Sequence, residues 1–142
     1  MKYLLDTDIL SIFERPGSAA YTILMQRLNR RDEADVGVSV VSYDEQALGC
    51  HNPIVNSRNP TQLLGAYDLL HDVLDAFRTY PLVKFDADAL IVFEQLKLRK
   101  LRIGTLDLRI ASIALSKDMT VVTRNLSDFG RVPSLKVEDW TR

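Results

Sequence analysis

Four acidic residues from distant parts of the chain, Asp6, Glu45, Asp107 and Asp128, are the side chains whose types and settings could do chemistry together. They stand in LLDTDIL, SVVSYDEQALG, IGTLDLRIASIAL and VVTRNLSDFG, respectively. Three have ordinary structural explanations when taken singly. Asp6 follows an apolar run and can cap a helix by accepting from free backbone N–H groups, a role Asp8 could share. Ser42-Tyr-Asp-Glu45 matches a capping box, in which the glutamate reaches back to the N–H of the cap residue. Ser127-Asp128 is turn chemistry. Asp107 resists this treatment, because Thr105 can already cap its helix and an unpaired carboxylate is costly to bury on so apolar a segment. Two carboxylates about 4 Å apart repel by about 4 kcal/mol at an effective dielectric of about 20. Several gathered in one place therefore take up protons or bind a cation. Oxygen-only ligands favour Mg²⁺ or Mn²⁺. Such an ion lowers the pKa of its water and neutralises phosphodiester charge, so the chemistry expected of the set is phosphodiester hydrolysis.

The elements that must position these acids can be read from periodicity. Lys2–Leu5 is a buried strand that ends at Asp6. Ile9, Leu10, Ile12 and Phe13 carry helical signal up to Pro16-Gly17, and Ser18 can cap a second helix with Ile23, Leu24 and Leu28 on one side. Val36–Val41, rich in β-branched residues, is the next strand. A helix from Ser42 to about Gly49 is expected to follow, then a loop over Pro53–Pro60 with its two Asn-Pro pairs. Leu63, Tyr67, Leu70, Leu74 and Phe77 recur at steps of three and four, which predicts one arm of a helical hairpin over 61–79, its stripe being core or partner surface. Leu82–Phe85 is a third strand, Ala89, Phe93 and Leu96 mark a helix, and Leu106–Ser116 is a helix apolar nearly all round. Thr120–Thr123 and a short Leu135–Val137 complete the strands. Strands alternating with helices imply an α/β fold with a parallel sheet covered on both faces. Its right-handed crossovers bring the strands' carboxyl ends to one edge, where such sheets bind ligands.

Bulk properties narrow the function classes. With 142 residues, 46% hydrophobic and 26% charged, the chain fits one ordinary domain over 1–142. A net charge of −1 argues against a general nucleic-acid coat protein, which would be strongly basic. It leaves room for an enzyme that meets phosphate through metal and local cations. Cys50 is the only cysteine, so no intrachain disulfide can form and a reducing compartment is expected. The apolar start is interrupted by Asp6 and Asp8, and no run of about 18 apolar residues exists. The expected setting is the cytoplasm, with no membrane association.

The four segments, in this order and spacing, resemble the PIN domain, and within it the VapC toxins of prokaryotic toxin–antitoxin pairs. Together LLDTDIL, SVVSYDEQALG, IGTLDLRIASIAL and VVTRNLSDFGRVPSLKVEDW span nearly the whole chain. The resemblance implies a three-layer α/β/α sandwich with a central parallel sheet and a helical hairpin after the second strand. It carries the catalytic metal site onto Asp6, Glu45, Asp107 and Asp128. It further implies Mg²⁺- or Mn²⁺-dependent cleavage of a structured RNA (tRNA or rRNA), inhibition by a VapB-type antitoxin, and a homodimer. Thr123 and Asn125 match the TRN stretch beside the metal site in that family. Where the family often has Asn, two residues after the first acid, this chain has Asp8.

Other residues have plainer uses. Lys97, Arg99, Lys100 and Arg102 form a basic cluster that is either a solvated helix end or a phosphate-steering patch for RNA. Arg109 and Arg124 are candidate partners of Asp107 or Asp128. His51 and His71 lack metal-ligand spacing and read as structural or surface residues. Three rival functions are set against this one. A haloacid-dehalogenase-type phosphatase could use Asp6 as nucleophile and Asp8 as acid, but it wants a catalytic lysine at a strand end. A receiver-like signalling domain wants one too. A PIN-like module could bind RNA or a partner without cutting.

Overall fold

The computed structural model describes all 142 residues. The apolar runs form five short strands: β1 (Tyr3–Leu5), β2 (Val36–Ser39), β3 (Leu82–Val83), β4 (Thr120–Val122) and β5 (Val137–Glu138). All pair in parallel, in the order β3-β2-β1-β4-β5. Side chains alternate along each strand and so divide the core in two. Leu4 and Val121, in register across β1 and β4, pack on one face with Phe93, Ile110, Ile113 and Phe129. Leu5 and Val122, one step along, pack on the other face with Ile9, Leu10, Leu24 and Trp140.

Seven helices cover these faces: α1 (Thr7–Leu10), which runs on as a 3-10 turn over Ser11–Glu14, then α2 (Ala19–Leu28), α3 (Val40–Val55), α4 (Pro60–Phe77), α5 (Ala87–Lys97), α6 (Thr105–Ser116) and α7 (Leu126–Phe129). The result is the expected three-layer α/β/α sandwich, with α3 and α4 as its helical hairpin. No helix is long and apolar enough to cross a membrane.

Several boundaries differ from the sequence reading, each for a local reason. The second strand stops at Ser39, not Val41, because the Ser39 hydroxyl caps α3 by accepting from the Ser42 N–H at 3.1 Å. Ser42 is therefore the third residue of the helix and not its cap. We expect Ser39→Ala to cost about 1 kcal/mol in denaturant melts, the usual loss for a removed cap. An unchanged midpoint would contradict that role. Farther along, α3 continues through Pro53 to Val55, leaving only residues 56–59 as the connection. Asn59 caps α4 and Pro60 takes its first position, where a missing N–H costs nothing. On α4 the buried residues are Ala66 and Val73, whereas Leu63, Leu64, Tyr67 and Leu74 are exposed. The large side chains of the predicted stripe thus supply surface more than core. Gly104, not Thr105, stands at the cap of α6 and contributes no side-chain bond. The last strand is Val137–Glu138, displaced from Leu135–Val137, because β4 pairs Val121 with Val137.

The strand order fixes where a ligand can enter. β1, β2 and β3 step outward one way and β4 and β5 the other, so the chain reverses between β1 and β4. The segment after β1 turns toward the Leu5 face, where Ile9 and Leu10 are buried. The segment after β4 turns toward the Leu4 face, where Phe129 is buried. Their divergence opens a crevice beyond the carboxyl ends of the two strands, the usual binding place in an open α/β sheet.

Candidate active site

Asp6 sits at the floor of this crevice, directly after β1, and is only 4% exposed. It does cap α1, since its Oδ1 accepts from the Thr7 N–H at 2.7 Å. Its Oδ2 accepts from the Thr123 hydroxyl at 2.9 Å, which ties the ends of β1 and β4 together. Capping and site membership are therefore the same position seen from two sides. Burial pushes the Asp6 carboxyl up to about 7, with the Asp8 carboxylate adding to the effect and the Thr123 hydroxyl opposing it.

Glu45 reaches the crevice from the second turn of α3. With Ser39 as the cap, it no longer stands where a capping-box glutamate would. Its Oε1 is buried and has no hydrogen-bond partner, the only such side-chain atom in the molecule. An orphaned polar atom of this kind costs about 1–3 kcal/mol, more if charged, unless something else occupies its lone pairs. Asp107 enters from the first turn of α6, whose N-terminus faces the carboxyl edge because α6 runs against the strand that follows it. Its pKa is raised to about 6 by burial first, then by Glu45, Asp128 and Asp8, with no hydrogen bond opposing them.

These three meet in one recess of about 340 Å³, lined by Asp6, Thr7, Asp8, Ser11, Glu45, Gln46, Asp107 and Asn125, with no hydrophobic residue among them. A larger recess between α2 and the end of α4, about 430 Å³ and lined by Phe13, Tyr21 and Tyr80 among others, gathers none of the four acids. Asp128 does not line the acidic recess. One of its oxygens accepts from Arg131 Nη1 at 2.7 Å and the other from Asn125 Nδ2 at 3.0 Å, and its charge helps to raise the pKa of Asp107. Thr123 is fully buried; besides bonding Asp6, its hydroxyl accepts from the Asn125 N–H at 2.9 Å. Asn125 caps α7 by accepting from the Asp128 N–H.

The cations fall differently from the sequence reading. Arg124 pairs with Asp8, at 3.5 Å, and with neither Asp107 nor Asp128. Arg109 lies 5.5 Å from the Phe93 ring centroid, away from the acids. Arg131, which spacing did not single out, is the partner of Asp128. Lys97, Arg99, Lys100 and Arg102 are all exposed on the end of α5 and the connection into α6. They do not line the recess, and Lys97 is paired with Glu94 at 3.2 Å. His51 and His71 are exposed. Thr7, Ser11 and Gln46 line the recess without having been picked out from sequence. The available signal was adjacency, since each lies within three residues of a named acid.

Whether these residues suit a divalent cation can be judged from the donors. No three of the acids converge tightly enough to form a ready-made cage. Mg²⁺ does not require one, because it keeps several waters and takes only one or two carboxylates directly. An all-polar recess, an orphaned Glu45 oxygen and neighbouring carboxylates that push up the pKa of Asp6 and Asp107 fit such an ion. The donors are oxygens throughout, with no sulfur or imidazole among them.

Known proteins resemble the chain over nearly its whole length. The chain is 29% identical over 146 residues to the tRNA(fMet)-specific endonuclease VapC of Salmonella typhimurium, covering 99% of this chain and 98% of that one. It is 26% identical over 148 residues to ribonuclease VapC2 of Rickettsia felis, covering both in full. Among solved structures, that of DNA-bound VapBC from Salmonella typhimurium superposes with a TM-score of 0.78 at 26% identity, over 99% of this chain and 98% of that one. The sequence model of the PIN domain matches residues 3–135, from the first strand almost to the last, and the chain belongs to the PIN-domain family.

Proposed function

We propose that the chain is a VapC-type toxin, a Mg²⁺- or Mn²⁺-dependent endoribonuclease that cuts structured RNA such as a tRNA or an rRNA loop. In this reading residues 1–142 form one PIN domain that acts in the cytoplasm as a homodimer and is restrained by a VapB-type antitoxin. The observation that carries it is the recess at the β1–β4 reversal, where acids from three distant segments meet and a buried Glu45 oxygen lacks a partner. The relatives named above are an endonuclease for a tRNA and a ribonuclease, and the solved neighbour is a VapBC complex. The exposed Leu63, Leu64, Tyr67 and Leu74 of α4, with Leu48 and Val55 of α3, offer the apolar surface that protein partners would cover.

Asp6, Glu45 and Asp107 would hold the ion, directly or through water. When bound, the ion supplies an acidified water and offsets the negative charge that builds on the phosphate. The chain's own residues do the positioning. Thr123 fixes the rotamer of Asp6 through its 2.9 Å bond, and the Thr7 hydroxyl, donating to Ser42 Oγ at 2.9 Å, ties α1 to α3, the helix that carries Glu45. Asp128, held by Arg131 and Asn125, adds negative charge near Asp107 that a cation would offset. The exposed Lys97, Arg99, Lys100 and Arg102 would meet RNA phosphates outside the recess, where their attraction falls with salt.

The phosphatase and receiver readings both want a lysine at the acids, and none lines the recess. The test is a digest of purified total RNA by the purified protein, with cut sites mapped in tRNA and rRNA. A discrete set of cuts in Mg²⁺ that vanishes in chelator is expected. Intact RNA in Mg²⁺ and Mn²⁺ would overturn the reading, and a phosphate-mimic adduct on Asp6 would favour the phosphatase.

A further inference from the structure

Asp8 is the acid without a role: a carboxylate two residues after Asp6 that lines the recess with three others. The structure gives it a partner. Its Oδ2 accepts from the Arg124 backbone N–H at 3.3 Å and lies 3.5 Å from Arg124 Nε. Its Oδ1 lies 3.4 Å from the Thr123 hydroxyl, and its carbonyl accepts from Arg124 Nη2 at 3.3 Å. These contacts span the crevice, joining α1 to the segment after β4 and fixing Arg124 through both main chain and side chain. The Arg124 side chain is nevertheless 42% exposed. It sits between Thr123, which bonds Asp6, and Asn125, which lines the recess.

A guanidinium has five N–H donors, and here Nε and Nη2 face Asp8 while Nη1 takes no part in the molecule's hydrogen bonds. The other arginines near the acids are committed elsewhere: Arg131 to Asp128 and the Arg102 carbonyl, Arg109 to the face of Phe93. An exposed ion pair contributes little to stability by itself, so stability does not account for fixing Arg124 at several points. A phosphodiester approaching a recess of four carboxylates needs a cation at its rim, and a planar guanidinium is the group best matched to phosphate.

We propose that Arg124 binds a phosphate of the RNA at the mouth of the recess, and that Asp8 is its positioning residue and not a ligand of the metal. The proposal rests on the ribonuclease reading. Its test uses the full chain and a 5′-fluorescein oligoribonucleotide that spans a cut mapped in the digest described above. For Arg124→Ala we expect KM to rise about tenfold, the usual loss for a charged hydrogen bond, while kcat stays close to that of the parent. The slope of log affinity against log salt, measured in chelator, should fall by about one. Arg124→Lys should recover part of the KM. Asp8→Asn should raise KM when Arg124 is present and add nothing in the Asp8→Asn, Arg124→Ala double variant, with Mn²⁺ affinity by calorimetry falling far less than in Asp107→Asn.

An unaltered KM and salt slope in Arg124→Ala would overturn the proposal, as would a loss of Mn²⁺ affinity in Asp8→Asn as large as that in Asp107→Asn. If Arg124→Ala fails to fold, Arg124→Lys and Asp8→Asn decide the matter by the same readouts. Failure of these variants to differ from the parent leaves the ribonuclease reading standing, whereas absence of any cut by the parent removes both.

Discussion

Asp107→Asn is expected to lower kcat for RNA cleavage at least about 100-fold, roughly 2.7 kcal/mol of transition-state stabilisation, while the protein stays folded. The two halves of this expectation have different causes. Asp107 faces the recess from the first turn of α6, where a carboxylate oxygen can reach a cation and an amide oxygen binds one far less well. The fold, in contrast, draws nothing from its charge. Burial and the neighbouring Glu45, Asp128 and Asp8 all disfavour the ionised form, with no hydrogen bond opposing them. Removing that charge should therefore leave the metal-free melting temperature at pH 8 equal to or above the parent's. Full activity in the variant would remove Asp107 from the chemistry, and a large drop in melting temperature would show that its carboxylate is structural.

The second large effect is a pH dependence of the metal-free protein. Asp6, raised from 3.8 to about 7, keeps its proton in the folded state over a range where the unfolded chain has lost it. Its contribution to stability is thus fully present below about pH 4 and is lost as pH rises through about 7. Between pH 5 and pH 8 that loss is roughly 2–3 kcal/mol, or several degrees in melting temperature for a chain of this size. Asp107, raised to about 6, adds to it in the same direction. The measurement is a set of thermal melts in chelator from pH 5 to 8, taken for the parent and for Asp6→Asn, which cannot titrate there. The difference between the two curves should fall with pH for the parent. Added Mn²⁺ should raise the parent's melting temperature more at pH 8 than at pH 5, because protons compete for the same oxygens. A flat or rising difference would contradict the electrostatics described for the recess.

Much of this was legible in the sequence. Apolar runs ending at Asp6 and at Thr123 marked β1 and β4, the latter one residue longer than the strand itself, and the αβ alternation implied their common carboxyl edge. Ser18 capped α2 as expected. What the sequence could not order was competition between equivalent local signals. Ser39 and Ser42 can each cap a helix, and only the point where β2 leaves the sheet selects Ser39. That choice lengthened α3 and turned Glu45 from a capping residue into an orphaned carboxylate. Pro53 marked a break by rule but is carried within the last turns of a helix. Pairing among charges was least legible, since Arg124 and Arg131 stand at similar distances in sequence from several acids. Which acid each meets depends on the way the segment after β4 turns. Asp128, expected at the same sheet edge as the other acids, bonds Arg131 and Asn125 and does not line the recess, for the same reason.

If the recess at the β1–β4 reversal is a divalent-cation site, calorimetric titration of Mn²⁺ into the metal-free protein at pH 8 will detect it. Saturable binding is expected in the parent, abolished or greatly weakened in both Glu45→Gln and Asp107→Asn, each still folded. No binding to the parent, or binding of equal affinity in all three proteins, would contradict it.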